Sequence, residues 1–207
     1  MILVPQGAEY RAVCRGARQL DKPPQVVAIP VGVASVTRFL QDFQESDLGE
    51  NILVMGLCGS LIGELQAGDA VLYRDCVDVE SIWQCATQRF QGQLVRGLTS
   101  DRILTAVAEK LTLGKLHQAQ VVDMEGSAIL KILAPSGVSI SMLRVVSDDV
   151  RHDLPDLTGT IDSEGRLRSF PLALSLLRQP IAGTRLIRGS LKALRVLENL
   201  TATLPRF

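Results

Sequence analysis

Nothing in this sequence offers a metal or disulfide framework. Cys14, Cys58, Cys76 and Cys85 are scattered without a C-x-x-C pair, and the two histidines form no cluster at metal-ligand spacing. The expectation is reduced thiols in a cytoplasmic protein, with no metal and no cofactor. No apolar run is long enough to span a bilayer. The start "MILVPQGAEYR" lacks a basic leader and turns polar too soon for a signal peptide. An excess of one charge is missing too: 22 Lys and Arg face 22 Asp and Glu, so no global field points to nucleic acid as a partner. That balance hides an asymmetry, because residues 166–207 carry eight Arg or Lys and one acid, Glu198. Such a basic tail reads either as a solvated helix face or as a surface that meets anionic lipid or phosphate.

What is present is a strong alternation. At 207 residues and 46% hydrophobic, the chain can bury a full core as one domain, 1–207. "MILVP", "QVVAIPV", "NILVMG", "DAVLYRDCV", "AQVVDM" and "VSISMLRVVS" are short apolar runs rich in Val and Ile. Between them lie helical patterns in "EYRAVCRGARQL", "SVTRFLQDFQ", "RILTAVAEKL" and the stretch from Gly126. Asp101 or Ser100 stands where it would cap the third helix. The rhythm predicts a three-layer α-β-α domain with a mixed central sheet covered on both faces. After Ser147 the chain turns polar, predicting a surface loop over 150–169. C-terminal helices follow over 170–204, at 170–178 and about 181–202. In the last, Ile187, Leu191, Leu194 and Leu197 form an apolar face and Arg185, Arg188, Lys192 and Arg195 a basic row.

In open α/β sheets ligands bind at the carboxyl ends of strands, and several strand ends here are unusual. The first ends in "PQGAEYR", with Glu9 opening a helix. The third ends in "GLCGSL", read as a small-residue turn whose backbone at Gly59 and Ser60 approaches a ligand closely. Another ends in "DMEG" and the last in "SDD". Acids at successive strand ends suggest a pocket that recognises hydroxyls and donates a proton.

These residues carry a family resemblance. "VVDMEGSAIL", "LRVVSDD" and "GLCGSL…GELQAGDAVLY" occur in the order found in the purine and uridine nucleoside phosphorylase superfamily. That superfamily also contains the methylthioadenosine/adenosylhomocysteine nucleosidases, and the resemblance covers roughly residues 1–150. The tail "LPDLTGTIDSEGRLRSFPLALSLLRQP" and the segment "SDRILTAVAEKLTL" are similar to the hopanoid-associated phosphorylases, thought to remove adenine from adenosylhopane. The resemblance implies cleavage of the N-glycosidic bond of an adenosine-type nucleoside, in a homo-oligomer. Peripheral membrane contact through the basic last helix would suit a lipid-linked substrate. A non-catalytic nucleoside sensor on the same fold is the alternative.

Residue by residue, the resemblance makes Asp148 the acid that protonates the leaving base, with Asp149 as its neighbouring alternative. It makes Glu125 the acceptor of ribose hydroxyls and Met124 a packing surface for the sugar. Asp123 is read as structural, a helix cap near Gly126. The nucleophile stays open. Val54 and Leu57 stand where phosphorylases grip phosphate, and neither side chain can do so. Glu9 fits the first acid of the run that activates water in nucleosidases, but Arg11 or Ala12 stands at the second. Glu9 is therefore base, ribose contact or helix charge, and Arg11 is a possible holder of phosphate as co-substrate. Only about 54 residues separate Asp69 from Asp123, a region that in larger relatives supplies aromatic stacking for the base. Trp83, Phe90 and Tyr73 are the few candidates left.

Overall fold

The computed structural model describes residues 1–43, 49–90, 92–162, 164–166 and 168–205. Gln44, at the end of the second predicted helix, Ser163 and Leu167 of the predicted loop, and Arg206 of the basic tail lie outside them. The first apolar run becomes β1 (Ile2–Pro5), and α1 (Ala8–Ala17), β2 (Val26–Ile29), α2 (Val33–Gln41) and β3 (Asn51–Ser60) follow. Then come β4 (Ala70–Val77), β5 (Ile82–Gln84), β6 (Gln93–Thr99), α3 (Val107–His117), β7 (Val121–Asp123) and α4 (Gly126–Leu133). A short 3-10 turn leads to β8 (Ser139–Asp148), and α5 (Ser169–Arg178) and α6 (Pro180–Ala202) end the chain.

The sheet is mixed. β2, β1, β3 and β8 run parallel side by side, and β8 continues antiparallel onto β4. β4 and β6 are parallel, as are β6 and β7, and β7 returns antiparallel to Gly59 and Ser60 of β3. Strands β3, β8, β4, β6 and β7 thus close into a ring, with β1 and β2 as a wing. Strand alternation then sorts the core into two faces. Leu3, Ile52, Val54, Met142 and Val146 pack with Val36 and Leu40 of α2 and Ile129, Leu130 and Leu133 of α4. Ile2, Val4, Leu53, Met55, Leu143 and Val145 pack with Ala12 and Val13 of α1 and Ala193 and Leu197 of α6. No helix among the described residues is long and apolar enough to cross a membrane.

Four local expectations change. "GLCGSL" is no turn: β3 runs straight through it to Ser60, because both flanks pair, with β8 and then β7. The third helix starts at Val107 and not near Ser100; the Ser100 hydroxyl is bonded locally at Arg102. Its first-turn amide, Val107, is capped from afar by Asp153 at 2.7 Å. In α6 the buried positions are Gly183, Ala193, Leu197 and Thr201, while Ile187 and Leu191 are 45% and 53% exposed. Small residues win that face because the helix lies close: a Cβ on Gly189 would collide with the Ser147 carbonyl. Finally, residues 150–169 are more than a surface loop. Pro155, Leu157, Thr160 and Gly165 are buried, and the Gly165 carbonyl accepts from Val31 N and Gln6 Nε2. Gly165 has φ of 72°, and a Cβ there would meet the Val31 backbone, so only glycine closes this clasp.

The remote cap gives a test. Asp153→Ala should lower stability by about 1 kcal/mol, the usual cost of losing an N-terminal helix cap, as read by urea denaturation. An unchanged midpoint would show that water replaces the Asp153 carboxylate without cost.

Candidate functional site

Two glycines of β3 make room for two charged side chains of β8. In the parallel register Gly56 lies beside Arg144, and a Cβ on Gly56 would fall on the Arg144 guanidinium. Arg144 is wholly buried in an otherwise apolar strand, so it needs partners. Asp123 at the end of β7 supplies one at 3.2 Å and Glu125 another at 3.6 Å. Asp123 also accepts from Thr99 Oγ1 at 2.8 Å and from the Gly126 amide at 3.1 Å, which is the structural, helix-capping role expected of it. Glu125 accepts from the Gly32 amide at 3.2 Å. Glu9 reaches in from α1, and its carboxylate takes the Leu57 amide at 2.6 Å. A Cβ on Gly56 would also press on that carboxylate, so Glu9 and Arg144 share one site.

Further along β3 the register slips. Val146 pairs with Cys58 but Asp148 with Gly59, so Ser147 is the extra residue of a bulge. Bulges re-aim side chains. Here Ser147 Oγ bonds the Cys58 carbonyl at 3.2 Å and Asp148 at 2.8 Å, and Asp148 lies over Gly59, where a Cβ would stand 3.0 Å from its Oδ2. From the first turn of α3, Lys110, 1% exposed, forms an ion pair with Asp148. Glu9 touches β3 at Leu57 and Asp148 touches it at Gly59, with Arg144 beside Gly56. The two acidic ends are therefore separated along the strand by roughly 7–10 Å, two to three residues at strand rise.

Both ends line one cavity of about 620 Å3, with Arg11, Met124, Glu125 and Gly59. The clasped loop contributes Leu154, Ile161 and Arg166 to its wall. Of the residues read from sequence as site candidates, Asp148, Glu9, Glu125, Met124, Gly59 and Arg11 meet here, Arg11 exposed at the rim. Ser60 does not. It is fully buried, and its hydroxyl is bonded to the Ile62 backbone, because β3 continues as strand past Gly59 and turns Ser60 away. Asp149 also drops out; its carboxylate caps the Arg151 amide at 3.0 Å. Val54 is core, and Leu57 contributes its amide to Glu9. None of Tyr73, Trp83 and Phe90 reaches the cavity: all three pack in the apolar clusters, and no aromatic ring of the described residues lines it. Its apolar walls are aliphatic, from Leu104, Val122 and Leu154.

Sequence reasoning missed Arg144 and Lys110 as participants. A lone Arg inside "SISMLRVV" was a usable signal, since a strand so apolar can hold a charge only beside acids. Lys110 gave none. The buried face of α3 is Lys110 and Gly114, while Leu111 and Leu116 point outward, the reverse of what a leucine pattern suggests.

The electrostatics follow from crowding. Burial pushes Glu9 up to about 7, and the Glu125 charge adds to it. Burial likewise pushes Glu125 up to about 7, against the pull of Arg144 and with help from Asp123. Burial works against the charge on Arg144, but Asp123 and Glu125 outweigh it and lift it above the usual guanidinium range.

No protein-family model matches the chain, and no curated protein does. Solved structures match it over nearly its whole length. A 5′-methylthioadenosine/S-adenosylhomocysteine nucleosidase (MTAN) from Helicobacter pylori aligns with a TM-score of 0.66 at 15% identity, covering 98% of this chain and 97% of that one. The futalosine hydrolase of the same organism aligns with a TM-score of 0.66 at 15% identity, covering 98% and 97%. The S-adenosylhomocysteine nucleosidase of Streptococcus pyogenes gives 0.66 at 15%, covering 99% and 96%. This chain shares the fold of these three proteins. At such identity the likeness concerns the fold, and the chemistry has to be argued from the site.

The raised carboxyls set a pH dependence. Glu9 binds its proton more tightly folded than unfolded between its ordinary 4.5 and about 7, so its contribution to stability is full below 4.5 and is lost as pH rises through 7. Between pH 4.5 and pH 8 the native protein should lose on the order of 3 kcal/mol relative to a Glu9→Gln variant, from a shift of about two and a half units. Urea denaturation of both at the two pH values measures it, and parallel pH curves would show Glu9 ionised throughout.

Proposed function

We propose that this chain hydrolyses the N-glycosidic bond of a purine nucleoside. The observation that carries the proposal is one cavity with Asp148 at one end and Glu9 and Glu125 at the other. Cleavage puts negative charge on the departing base and positive charge on the sugar, so it calls for a proton donor and an acid-rich sugar site on opposite sides. Asp148 delivers the proton to the base. Glu125 accepts hydrogen bonds from the ribose hydroxyls, with Met124 against the sugar. Glu9, raised to about 7, is suited to take a proton from attacking water near neutrality.

Water is favoured over phosphate on charge. Glu9, Asp123 and Glu125 surround one guanidinium, Arg144, whose Nη2 meets Asp123 and Glu125 while its Nε and Nη1 carry no hydrogen bond among the described residues. A phosphate dianion beside Glu9 would be repelled at close range in a medium of low dielectric. Phosphorolysis keeps one supporting feature, Arg11 and Arg102 on the cavity lining. The structural neighbours described as nucleosidases and a hydrolase agree with water.

The finer reading is an adenosyl group joined to a hopanoid lipid. A second cavity of about 550 Å3 shares Val31, Arg102, Ile103, Met124 and Ile161 with the first and adds Val33, Ala34 and Leu157 beside Asp101, Thr105 and Asp162, giving an extension of mixed polarity. On α5, Phe170 and Leu177 are 80% and 78% exposed, and Arg178, Arg185 and Arg188 follow close by in sequence. An apolar ridge flanked by basic side chains suits an anionic membrane surface. Co-sedimentation with anionic vesicles should be lost in a Phe170→Glu, Leu177→Glu double variant; absence of binding by the native chain would remove the membrane part of the reading.

The main test is free base released from adenosine, inosine, methylthioadenosine and adenosylhopane, with and without phosphate. Release independent of phosphate is expected, and an absolute phosphate requirement would make the chain a phosphorylase. Asp148→Asn should lower turnover by about 10²- to 10⁴-fold, the range for losing a general acid, while nucleoside binding persists. No release of base from any of the four would favour a nucleoside sensor.

A further inference from the structure

The Asp148 end of the site contains a contradiction that a single carboxyl does not resolve. An acid that is to protonate a leaving base must have a proton, yet Asp148 is ion-paired with an ammonium. An ion pair of this kind has its proton on the nitrogen. Glu9 and Glu125 lie two to three residues along β3 from Gly59, and their bonds go to the Leu57 and Gly32 amides and to Arg144, not to Asp148. Two donors adjoin Asp148, the Ser147 hydroxyl and the Lys110 ammonium, and of these only the ammonium is acidic enough to give up its proton.

Lys110 is built into this place. It is 1% exposed, lines the cavity, and has three N–H donors for the one carboxylate that the structure gives it. Taking a lysine out of water is costly, and a structural pair could be replaced by apolar packing at little loss. The helix that holds it is brought in by Gly114, where a Cβ would stand 3.0 Å from Leu61 Cβ. Its N-terminus is held by Asp153, from the loop that follows Asp148 itself. Leu154 N reaches the Thr105 carbonyl at 2.9 Å, a second tie between that loop and the approach to α3.

We propose that Lys110 is a positioning residue and proton reservoir for Asp148, so that the pair and not the carboxyl alone delivers the proton to the leaving base. The inference rests on the N-glycosidic reading above. As the bond between C1′ of the sugar and N9 of the purine breaks, its electron pair passes to the purine. The Lys110 ammonium proton crosses to the Asp148 carboxylate and on to N7 of the base, leaving a neutral amine. Water supplies hydroxide to C1′ and its proton to Glu9. That proton returns to Lys110 through solvent, so the cycle consumes one water and no other reactant. Lysine suits such a cycle and arginine does not, because a guanidinium keeps its charge while an amine exchanges protons readily.

The test compares leaving groups. Native chain, Lys110→Arg and Lys110→Met are assayed on adenosine-type nucleosides and on 4-nitrophenyl β-D-ribofuranoside, whose phenolate departs without a proton. The expected result for Lys110→Arg is a loss of at least 100-fold in kcat on the purine nucleoside, KM within a few-fold, and nitrophenyl riboside cleavage within a few-fold of native. Lys110→Met should show the same split between leaving groups. Native turnover of the purine nucleoside by Lys110→Arg would overturn the proposal, as would equal losses on both substrates, the mark of a structural role. Circular dichroism identifies a variant that does not fold. In that event the native pH profile decides: an alkaline decline of kcat on the purine nucleoside that the nitrophenyl riboside lacks supports the reservoir, and identical profiles refute it. A native chain inert on both substrates overturns the N-glycosidic reading itself, whereas an active native chain with an unaffected Lys110→Arg overturns only the role of Lys110.

Discussion

The guanidinium of Arg144 is the interaction around which the site is assembled. It is wholly buried in a strand whose neighbours are Leu143 and Val145, and its charge is tolerable only because Asp123 and Glu125 arrive at the end of β7. Removing one partner of a buried pair commonly costs 3–5 kcal/mol, so each constrains the others. Asp123 must be held in place, which Thr99 Oγ1 and the Gly126 amide ensure. Gly56 must remain glycine, since a Cβ there would occupy the space of the guanidinium. The Glu9–Glu125 end of the cavity is in this sense a by-product of neutralising one arginine.

The other end depends on backbone irregularity. A strand of regular alternation would have turned Asp148 with Val146 toward the α2 and α4 face. The extra residue, Ser147, shifts it by one position, and Gly59 leaves the space into which it turns. One strand, β3, therefore serves both ends: its glycines give up side-chain volume at Gly56 and Gly59, and β8 fills that volume with charge. In "GLCGSL" the small size of glycine matters at both positions, and at Gly56, with φ of 157°, its conformational freedom matters as well.

Much of this was legible in the amino-acid pattern, and what was not has physical causes. Six of the eight strands and most helices follow from short Val- and Ile-rich runs and apolar periodicity, and the α-β-α layering follows from their alternation, whereas β5 and β6 lie in stretches too polar to stand out. The acids Glu9, Glu125 and Asp148 stood out because burial of a carboxylate after an apolar run is costly and so must be used. What stayed hidden required knowledge of pairing. Whether "GLCGSL" turns or continues depends on β7 and β8 flanking it, which no local pattern records. Ser60 was misplaced for the same reason. Lys110 escaped because α3 packs through Lys110 and Gly114 while Leu111 and Leu116 face outward, and polar periodicity does not announce a buried ion pair. The loop 150–169 reads as polar, yet it closes over the cavity through the Gly165 backbone, whose contacts are invisible in side-chain composition.

Charge arithmetic along the cavity connects these pieces to chemistry. Among the inner groups Glu9, Asp123, Glu125 and Asp148 stand against Arg144 and Lys110, an excess of two acids when all are ionised, while the exposed Arg11, Arg102 and Arg166 line the rim. That excess is held under strain, since burial and mutual repulsion leave both Glu9 and Glu125 near 7. A group carrying positive charge between them would relieve it. The sugar of a breaking N-glycosidic bond develops that charge only at the transition state, so the relief is withheld from the neutral substrate and given to the species on the way to product. The same excess would repel phosphate and leave water undisturbed. On the proposed reading, the crowding that makes the Glu9–Glu125 end costly to fold favours a cationic sugar and a neutral nucleophile.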